Sequence, residues 1–322
     1  MRILKFFLVL LITFVLVCFV MNKSISSYLE QRYHIYIALD NEILDEANSL
    51  KIKLEQIKTV LSNDSFTTNY EILQELAQKN EENLSLAVAT ELINDVNNTS
   101  DENLSKTKLV NLEDMNITVK DGEEFLIIGD SLMQGVALSL VKDLQALDIN
   151  STNLSKQNTG LSYKSYFNWA KATQAAFLSN DKIKYVVVLL GANDPWAIKL
   201  NNKYHQFNTT QWLSIYTSRV NEILQIAKNY GARVFWYEIP PVKDKNLNTK
   251  LKVLNQIYKN ELANNEEIFI QTQSVLSDNG EYSSYVKDEN NKSIKVRADD
   301  GTHFNIKGAK IMSNLLLKHI NK

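Results

Sequence analysis

A serine set directly after an apolar run, and a histidine three residues beyond an aspartate, are the residues of this chain best suited to chemistry. Gly129-Asp130-Ser131-Leu132 follows Phe125 to Ile128, and Asp300-Gly301-Thr302-His303 lies far downstream. A serine hydroxyl is a weak nucleophile until a neighbouring base takes its proton. His303 is the available base, and Asp300 can hold its Nδ1 so that Nε2 faces Ser131. Between these segments lie Asn158-Thr159-Gly160 and Gly191-Ala192-Asn193-Asp194. The backbone N–H groups of Ser131 and Gly160 and the side-chain amide of Asn193 are candidate donors to an oxyanion. The four segments together outline an acyl-transfer site with nucleophile, base, orienting carboxylate and oxyanion hole. Taken singly, each reads as an ordinary turn; their order and their place after apolar runs point to catalysis.

Composition removes several other classes. A net charge of -2 over 322 residues argues against nucleic acid as a partner, since phosphate recognition shows as a basic excess. Cys18 is the only cysteine, so neither an internal disulfide nor a cysteine zinc site can form. There are four histidines. His34 lies in a helical stretch, His205 in a polar segment and His319 in the C-terminal tail; only His303 has a carboxylate and a turn glycine beside it. The expected chemistry uses no metal and no cofactor.

These residues must be positioned by an alternation of strands and helices. Phe125 to Ile128, Tyr185 to Leu190, Val234 to Ile239 and Ile268 to Gln271 read as buried strands. Helices are expected at about Met133 to Leu147, Thr210 to Asn229, Asn248 to Asn264 and Ile306 to Ile320. Alternation of this kind predicts an α/β domain with a parallel sheet, whose ligands gather beyond the carboxyl ends of the strands. Ser131 and Asn193 both fall just past strand ends.

The first 122 residues differ in character. Arg2 and Lys5 precede an apolar run from Phe6 to Met21, close to the roughly 20 residues that span a bilayer. We read residues 1–23 as a signal anchor, with a cleaved signal peptide as the alternative. Basic residues at the start favour a cytoplasmic N-terminus and a domain beyond the inner membrane, in the periplasm. Residues 24–122 read as a helical stalk (Ser26 to about Leu61, then Tyr70 to Ile93) and a polar linker from Asn94 to Asp114. Residues 123–322 form the expected catalytic domain.

The four motifs resemble those of the SGNH, or GDSL, hydrolase superfamily. Gly129-Asp130-Ser131-Leu132 is similar to its first block, Gly160 to the glycine of its second, Gly191-Ala192-Asn193-Asp194 to its third and Asp300-Gly301-Thr302-His303 to its fifth. The resemblance implies a three-layer α/β/α, flavodoxin-like fold and metal-free acyl-serine chemistry. Thr159-Gly160-Leu161, the aromatic stretch through Trp169 and the segment Arg297 to His303 resemble a bacterial extracytoplasmic branch. That branch implies peptidoglycan O-acetylation: acetyltransferases working beside a membrane acyl-exporting partner protein, or esterases removing the acetyl group from a cell-wall glycan. A non-catalytic glycan-binding surface protein is the alternative of a different class. Trp196 and Arg297 are possible substrate contacts, Trp196 by stacking on a sugar and Arg297 by binding an anionic or carbonyl group, or else by forming a surface salt bridge. Trp169, Trp212 and Tyr216 are further stacking candidates. Several asparagines, among them Asn83, Asn103 and Asn116, have an acid two residues before and Ser or Thr two residues after, a pattern resembling the acceptor motif of bacterial N-glycosylation.

Overall fold

The computed structural model describes residues 2–22, 25, 26, 29, 43, 47, 116–288 and 290–322. The chain divides into two compact units, Met1–Leu109 and Val110–Lys322. In the first unit, helix α1 spans Arg2–Val20. Helical hydrogen bonding continues past it, with Met21 N donating to Val17 O and Ile25 N to Met21 O. The side chains of Phe6 to Leu11 are at least half exposed. No helix among the described residues is long and apolar enough to cross a membrane. The 19 residues of α1, at 1.5 Å each, rise about 28 Å against a hydrocarbon core of about 30 Å. The stalk helices and linker expected between 24 and 115 lie outside the described residues, apart from isolated positions.

The second unit is built on a five-stranded parallel sheet in the order β3-β2-β4-β7-β8. Its strands are β2 (Glu124–Gly129), β3 (Ser151–Asn153), β4 (Ile183–Leu189), β7 (Arg233–Tyr237) and β8 (Ile268–Ile270). Phe125 to Ile128 and Val186 to Leu190 are wholly inaccessible, as both faces of central strands in a parallel sheet must be. Helix α2 (Ser131–Ala146) follows β2, and α3 (Trp169–Ser179) precedes β4. Helix α4 (Thr210–Asn229) leads to β7 and α5 (Lys245–Asn264) to β8. A short α6 (Gln273–Leu276) and a terminal α7 (Ile306–Leu317) complete the helices of this unit. Helix α2 packs on α7, while α3 packs on α4 and α4 on α5. Lys310 and Ser313 of α7 bind the carboxylate of Asp143 on α2.

Small paired strands lie outside this sheet. β1 (Ile117–Thr118) pairs in parallel with β11 (Ile320–Asn321), so the chain is already part of this unit before residue 123. β5 (Ile198–Leu200) and β6 (Lys203–His205) form one hairpin, and β9 (Tyr285–Lys287) and β10 (Ser293–Lys295) another. The elements expected from Phe125 onward are present with ends shifted by a few residues; β1, β3, β11, α3, α6 and the hairpins were not expected. β3 is three residues, Ser-Thr-Asn, at a sheet edge, and carries none of the apolar content that betrays a central strand.

Strand order decides where the site falls. After β2 the chain passes to β3 on one side and then returns to β4 on the other. That reversal opens a crevice between the carboxyl ends of β2 and β4, the place where open α/β sheets bind ligands. Ser131 follows β2 directly, and Asn193 follows β4.

Candidate active site

The turn from β2 into α2 is held by Asp130. Its carboxylate Oδ1 accepts from Leu132 N at 2.9 Å and caps the helix. Its Oδ2 accepts from Gly191 N at 3.1 Å and Ala192 N at 3.2 Å, which binds the loop after β4 to the serine turn. Gly129 has φ +159, and an added Cβ would collide with Leu189 O and Met133 Cβ, so the two strand ends approach more closely than a side chain permits. Ser131 is thereby the first residue of α2, where unpaired N–H groups and the helix dipole favour developing negative charge.

Asp130 is fully inaccessible. Burial pushes its carboxyl up to about 7, against the pull of its three backbone donors; nearby Asp194 pushes in the same direction as burial.

Asp194 organises the second-block loop. Its Oδ1 accepts from Ser162 N at 2.7 Å, its backbone carbonyl accepts from Ser162 Oγ at 2.6 Å, and its Oδ2 accepts from Tyr216 Oη at 2.8 Å. An added Cβ on Gly160 would collide with this carboxylate, so the loop can lie against Asp194 only with glycine there. Tyr258 Oη lies 2.6 Å from Tyr216 Oη and 3.2 Å from Leu190 O, so its single proton can go to either oxygen. Arg219 Nη1 donates to Leu161 O at 2.6 Å. Burial raises the Asp194 carboxyl, opposed by the N–H groups of Ser162 and Leu161, by Tyr216 and by Arg219. The side-chain amide of Asn193 donates to Thr159 O at 3.0 Å, which ties the two candidate oxyanion loops together.

The acid and base arrive on a tight turn just ahead of α7. Gly301 N donates to Ala298 O and Ala298 N to His303 O, closing the turn. Asp300 Oδ1 accepts from Thr302 N at 2.8 Å and His303 N at 3.0 Å. Its Oδ2 lies 2.6 Å from His303 Nδ1. His303 Nε2 lies 2.8 Å from Ser131 Oγ, across a separation of 172 residues. Burial works to raise the Asp300 carboxyl, yet the backbone donors and the imidazole bring it down to about 2. The carboxylate is therefore ionised at neutral pH and accepts the Nδ1 proton, which leaves the Nε2 lone pair for the serine proton. Such a relay can activate the hydroxyl for attack on an ester carbonyl. The side chains of His303 and Asp300 are 41% and 51% exposed, so solvent reaches this pair.

Ser131, Asp300 and His303 thus form one hydrogen-bonded chain, and Gly160 and Asn193 are coupled to each other and, through Asp130, to the serine turn. Arg297 lies elsewhere than expected. It is fully inaccessible, and it reaches neither the surface nor a substrate. Its Nη1 donates to Thr302 O at 3.1 Å and its Nη2 to Pro241 O at 2.8 Å, with the guanidinium 4.7 Å above the Phe304 ring. It supports the acid–base turn from behind. Trp169, Trp212 and Tyr216 are likewise buried and offer no face to a sugar; Trp212 stacks on Tyr216 at 4.7 Å. These aromatics pack because their helices must bury a face on the sheet. Trp196 is half-buried, with Lys250 Nζ 4.4 Å above its ring. Among the described residues no cluster of His, Cys, Asp or Glu is suited to a metal ion.

Sequence reasoning placed Asp130 and Asp194 inside motifs without giving them work. The available signal was an acid at the end of each of two fully apolar strands, where a carboxylate must find donors or lose its charge. Nothing local marked Tyr258, which reaches the site from α5 only through folding.

The profile of the family described as "Protein of unknown function (DUF459)" matches residues 124–319. No curated protein matches the chain. Among solved structures it is similar to a GDSL-like lipase from Bacteroides thetaiotaomicron VPI-5482, with 16% identity and a TM-score of 0.44, covering 62% of this chain and 88% of that one. A member of the lipolytic protein G-D-S-L family from Veillonella parvula DSM 2008 is similar at 13% identity and a TM-score of 0.44, over 61% and 97% of the two chains. A mutant of Axe2, an acetyl-xylooligosaccharide esterase from Geobacillus Stearmophilus, is similar at 16% identity and a TM-score of 0.45, over 63% and 96%. On the family match, which spans more than half of its residues, the chain belongs to the DUF459 family.

Proposed function

We propose that the chain is an acyl-serine enzyme acting on O-acetyl groups of a cell-wall glycan, held at the periplasmic face of the inner membrane by its N-terminal helix. The observation that carries the chemistry is the chain of contacts from Asp300 through His303 to Ser131, at 2.6 and 2.8 Å. In this reading Ser131 Oγ attacks the acetyl carbonyl while His303 Nε2 takes its proton. The N–H groups of Ser131 and Gly160 and the amide of Asn193 receive the oxyanion. His303 then gives the proton to the departing alcohol oxygen, leaving acetyl-Ser131. An acceptor hydroxyl repeats the sequence in reverse, with His303 again as base, and carries the acetyl group away.

Two acceptors fit this cycle. Solvent access to His303 and Asp300 favours water, and hence an esterase that deacetylates the glycan. The apolar run at the N-terminus, with Phe6 to Leu11 uncovered, favours a tethered transferase that receives acetyl groups from a membrane acyl-exporting partner and passes them to a sugar hydroxyl. The extracytoplasmic placement is supported by Arg2 and Lys5 ahead of that run. The glycan assignment is supported by the resemblance of the segments around Gly160 and His303 to the peptidoglycan O-acetylation branch.

The test is a side-by-side assay of the protein on an acetyl ester with and without an oligosaccharide acceptor, together with labelling by a fluorophosphonate. Acetate release, and labelling lost in Ser131→Ala, are expected. Acetylated oligosaccharide as the main product assigns the transferase. Absence of labelling and turnover overturns the enzymatic reading and leaves a glycan-binding surface protein.

A further inference from the structure

Eleven Asn-x-Ser/Thr tripeptides occur in this chain. In six of them the residue two before the asparagine is acidic: Glu81 before Asn83, Asp95 before Asn97, Asp101 before Asn103, Asp114 before Asn116, Asp148 before Asn150 and Glu289 before Asn291. Asp and Glu make up 37 of 322 residues, so chance would put an acid there in about one of the eleven.

The three such asparagines among the described residues, Asn116, Asn150 and Asn291, are all exposed. Asn22, which heads a tripeptide without the acid, is 7% exposed. Asp148 is exposed together with Asn150, so acid and acceptor share one surface. Asn150 stands at the start of the edge strand β3, where its carbonyl accepts from Phe125 N at the beginning of β2. Asn116 immediately precedes β1, and the Thr118 carbonyl of β1 accepts from Tyr185 Oη near the start of β4. Both asparagines therefore lie towards the amino ends of the strands, opposite the rim that carries Ser131. Asn291 occupies the turn between β9 and β10, with φ +62 and its N–H bonded to Asp288 O. Exposed turns and strand ends are where an Asn-x-Ser/Thr site can be reached and where a bulky glycan is tolerated.

We propose that Asn116, Asn150 and Asn291 are acceptor sites for an N-linked oligosaccharide delivered by an oligosaccharyltransferase that requires the acid. The donor class is an oligosaccharide on a polyprenyl pyrophosphate. The asparagine amide nitrogen forms a bond to C1 of the first sugar. The bond from C1 to the phosphate oxygen breaks, the lipid pyrophosphate leaves with the electron pair, and the amide proton passes to a base of the transferase. Occupancy in cells rests on the periplasmic placement proposed above, because the donor faces that compartment after export. The acyl-transfer rim stays uncovered by glycans at Asn116 and Asn150.

The purified full-length chain in detergent, incubated with a bacterial oligosaccharyltransferase and its lipid-linked oligosaccharide, should gain mass in steps of one glycan. Peptide mass spectrometry should find it on the three asparagines. Asn150→Gln and Asn291→Gln should each remove one step and leave ester turnover unchanged. Asp148→Asn and Glu289→Gln should remove the same steps with the tripeptides intact. No mass gain, or sugar only at sites lacking the acid such as Asn208, overturns the proposal. The same chain co-expressed with the transferase in a bacterium separates the two claims. A chain modified in vitro but unmodified in cells, and confined to the cytoplasmic fraction, defeats the periplasmic placement and leaves the acceptor sites standing. An exported chain that stays unmodified defeats the acceptor sites.

Discussion

At the residue scale the site depends on proton position. Ser131→Ala removes the proposed nucleophile, and His303→Ala its base. Each should lower kcat by at least about 1000-fold in an acetyl-ester assay, and the two together little more than either alone, since the groups act as a unit. Asn193→Ala takes away one oxyanion donor and leaves the Thr159 carbonyl unpaired. A loss of about 100- to 1000-fold in kcat with KM nearly constant is expected, because such a donor serves the transition state more than the ground state. Arg297 shows why residue identity alone misleads. An arginine near the candidate base His303 invites a substrate role, yet this one spends both terminal nitrogens on carbonyls, and its Nε has no acceptor within reach. Arg297→Lys keeps the charge but loses the fork that joins Thr302 to Pro241. It should lower both kcat and the melting temperature while leaving KM for the ester unchanged; a rise in KM alone would indicate that the side chain meets substrate after all.

At the scale of elements, two buried carboxylates fasten the loops of three different strands and helices into one rim. Asp130 joins the start of α2 to the loop after β4, and Asp194 joins that loop to the segment around Gly160. Asp130 sets a pH dependence whose sign can be worked out. Its folded carboxyl titrates at about 7, above its ordinary value of 3.8, so between those limits the folded state holds a proton that the unfolded chain has released. Stability from this group is full below about pH 4 and is lost as pH rises to about 7, by up to about 4 kcal/mol in the absence of relaxation. Melting followed from pH 4 to 8 should show that decline, and Asp130→Asn should flatten it at the cost of the acceptor for Gly191 and Ala192. Asp300, held low, acts in the opposite sense: its contribution is present above about pH 4 and is lost as pH falls towards 2. Gly160→Ala would force a methyl group into the Asp194 carboxylate. Overpacking of this kind costs about 1–3 kcal/mol. Reduced turnover and a lowered melting temperature together are expected, whereas an unchanged enzyme would mean the loop has room to move.

At the scale of the whole molecule, the proposed function assigns chemistry and placement to different parts of the chain. The unit Val110–Lys322 holds all five strands of the parallel sheet and every residue of the candidate site. Expressed alone from residue 110, it should fold, stay in the soluble fraction and retain ester turnover, while the full chain should sediment with membranes; equal partitioning of the two would remove the anchoring role of residues 2–22. The motifs around Ser131, Gly160, Asn193 and His303 were legible in the amino-acid order because each stands at the end of an apolar run or in a short turn, and such signals are local. The central strands were legible for the same reason, since burial on both faces demands an unbroken apolar stretch. β3 escaped notice because an edge strand of Ser, Thr and Asn needs only backbone pairing. The hairpin β5–β6 escaped because its strands, Ile198–Leu200 and Lys203–His205, are only three residues each, too short for their alternation to stand out.

Local order along the chain was thus enough to determine an α/β architecture and to single out candidates for a nucleophile, a base and its carboxylate. Only the tertiary structure decided that His303 meets Ser131, that Asp130 and Asp194 are the internal fastenings, and that Arg297, Trp212 and Tyr216 face inward. Pattern and turn chemistry act over a few residues, whereas the partners of a buried charge or ring are chosen by strand order and helix packing across separations of tens to hundreds of residues, which no local signal encodes.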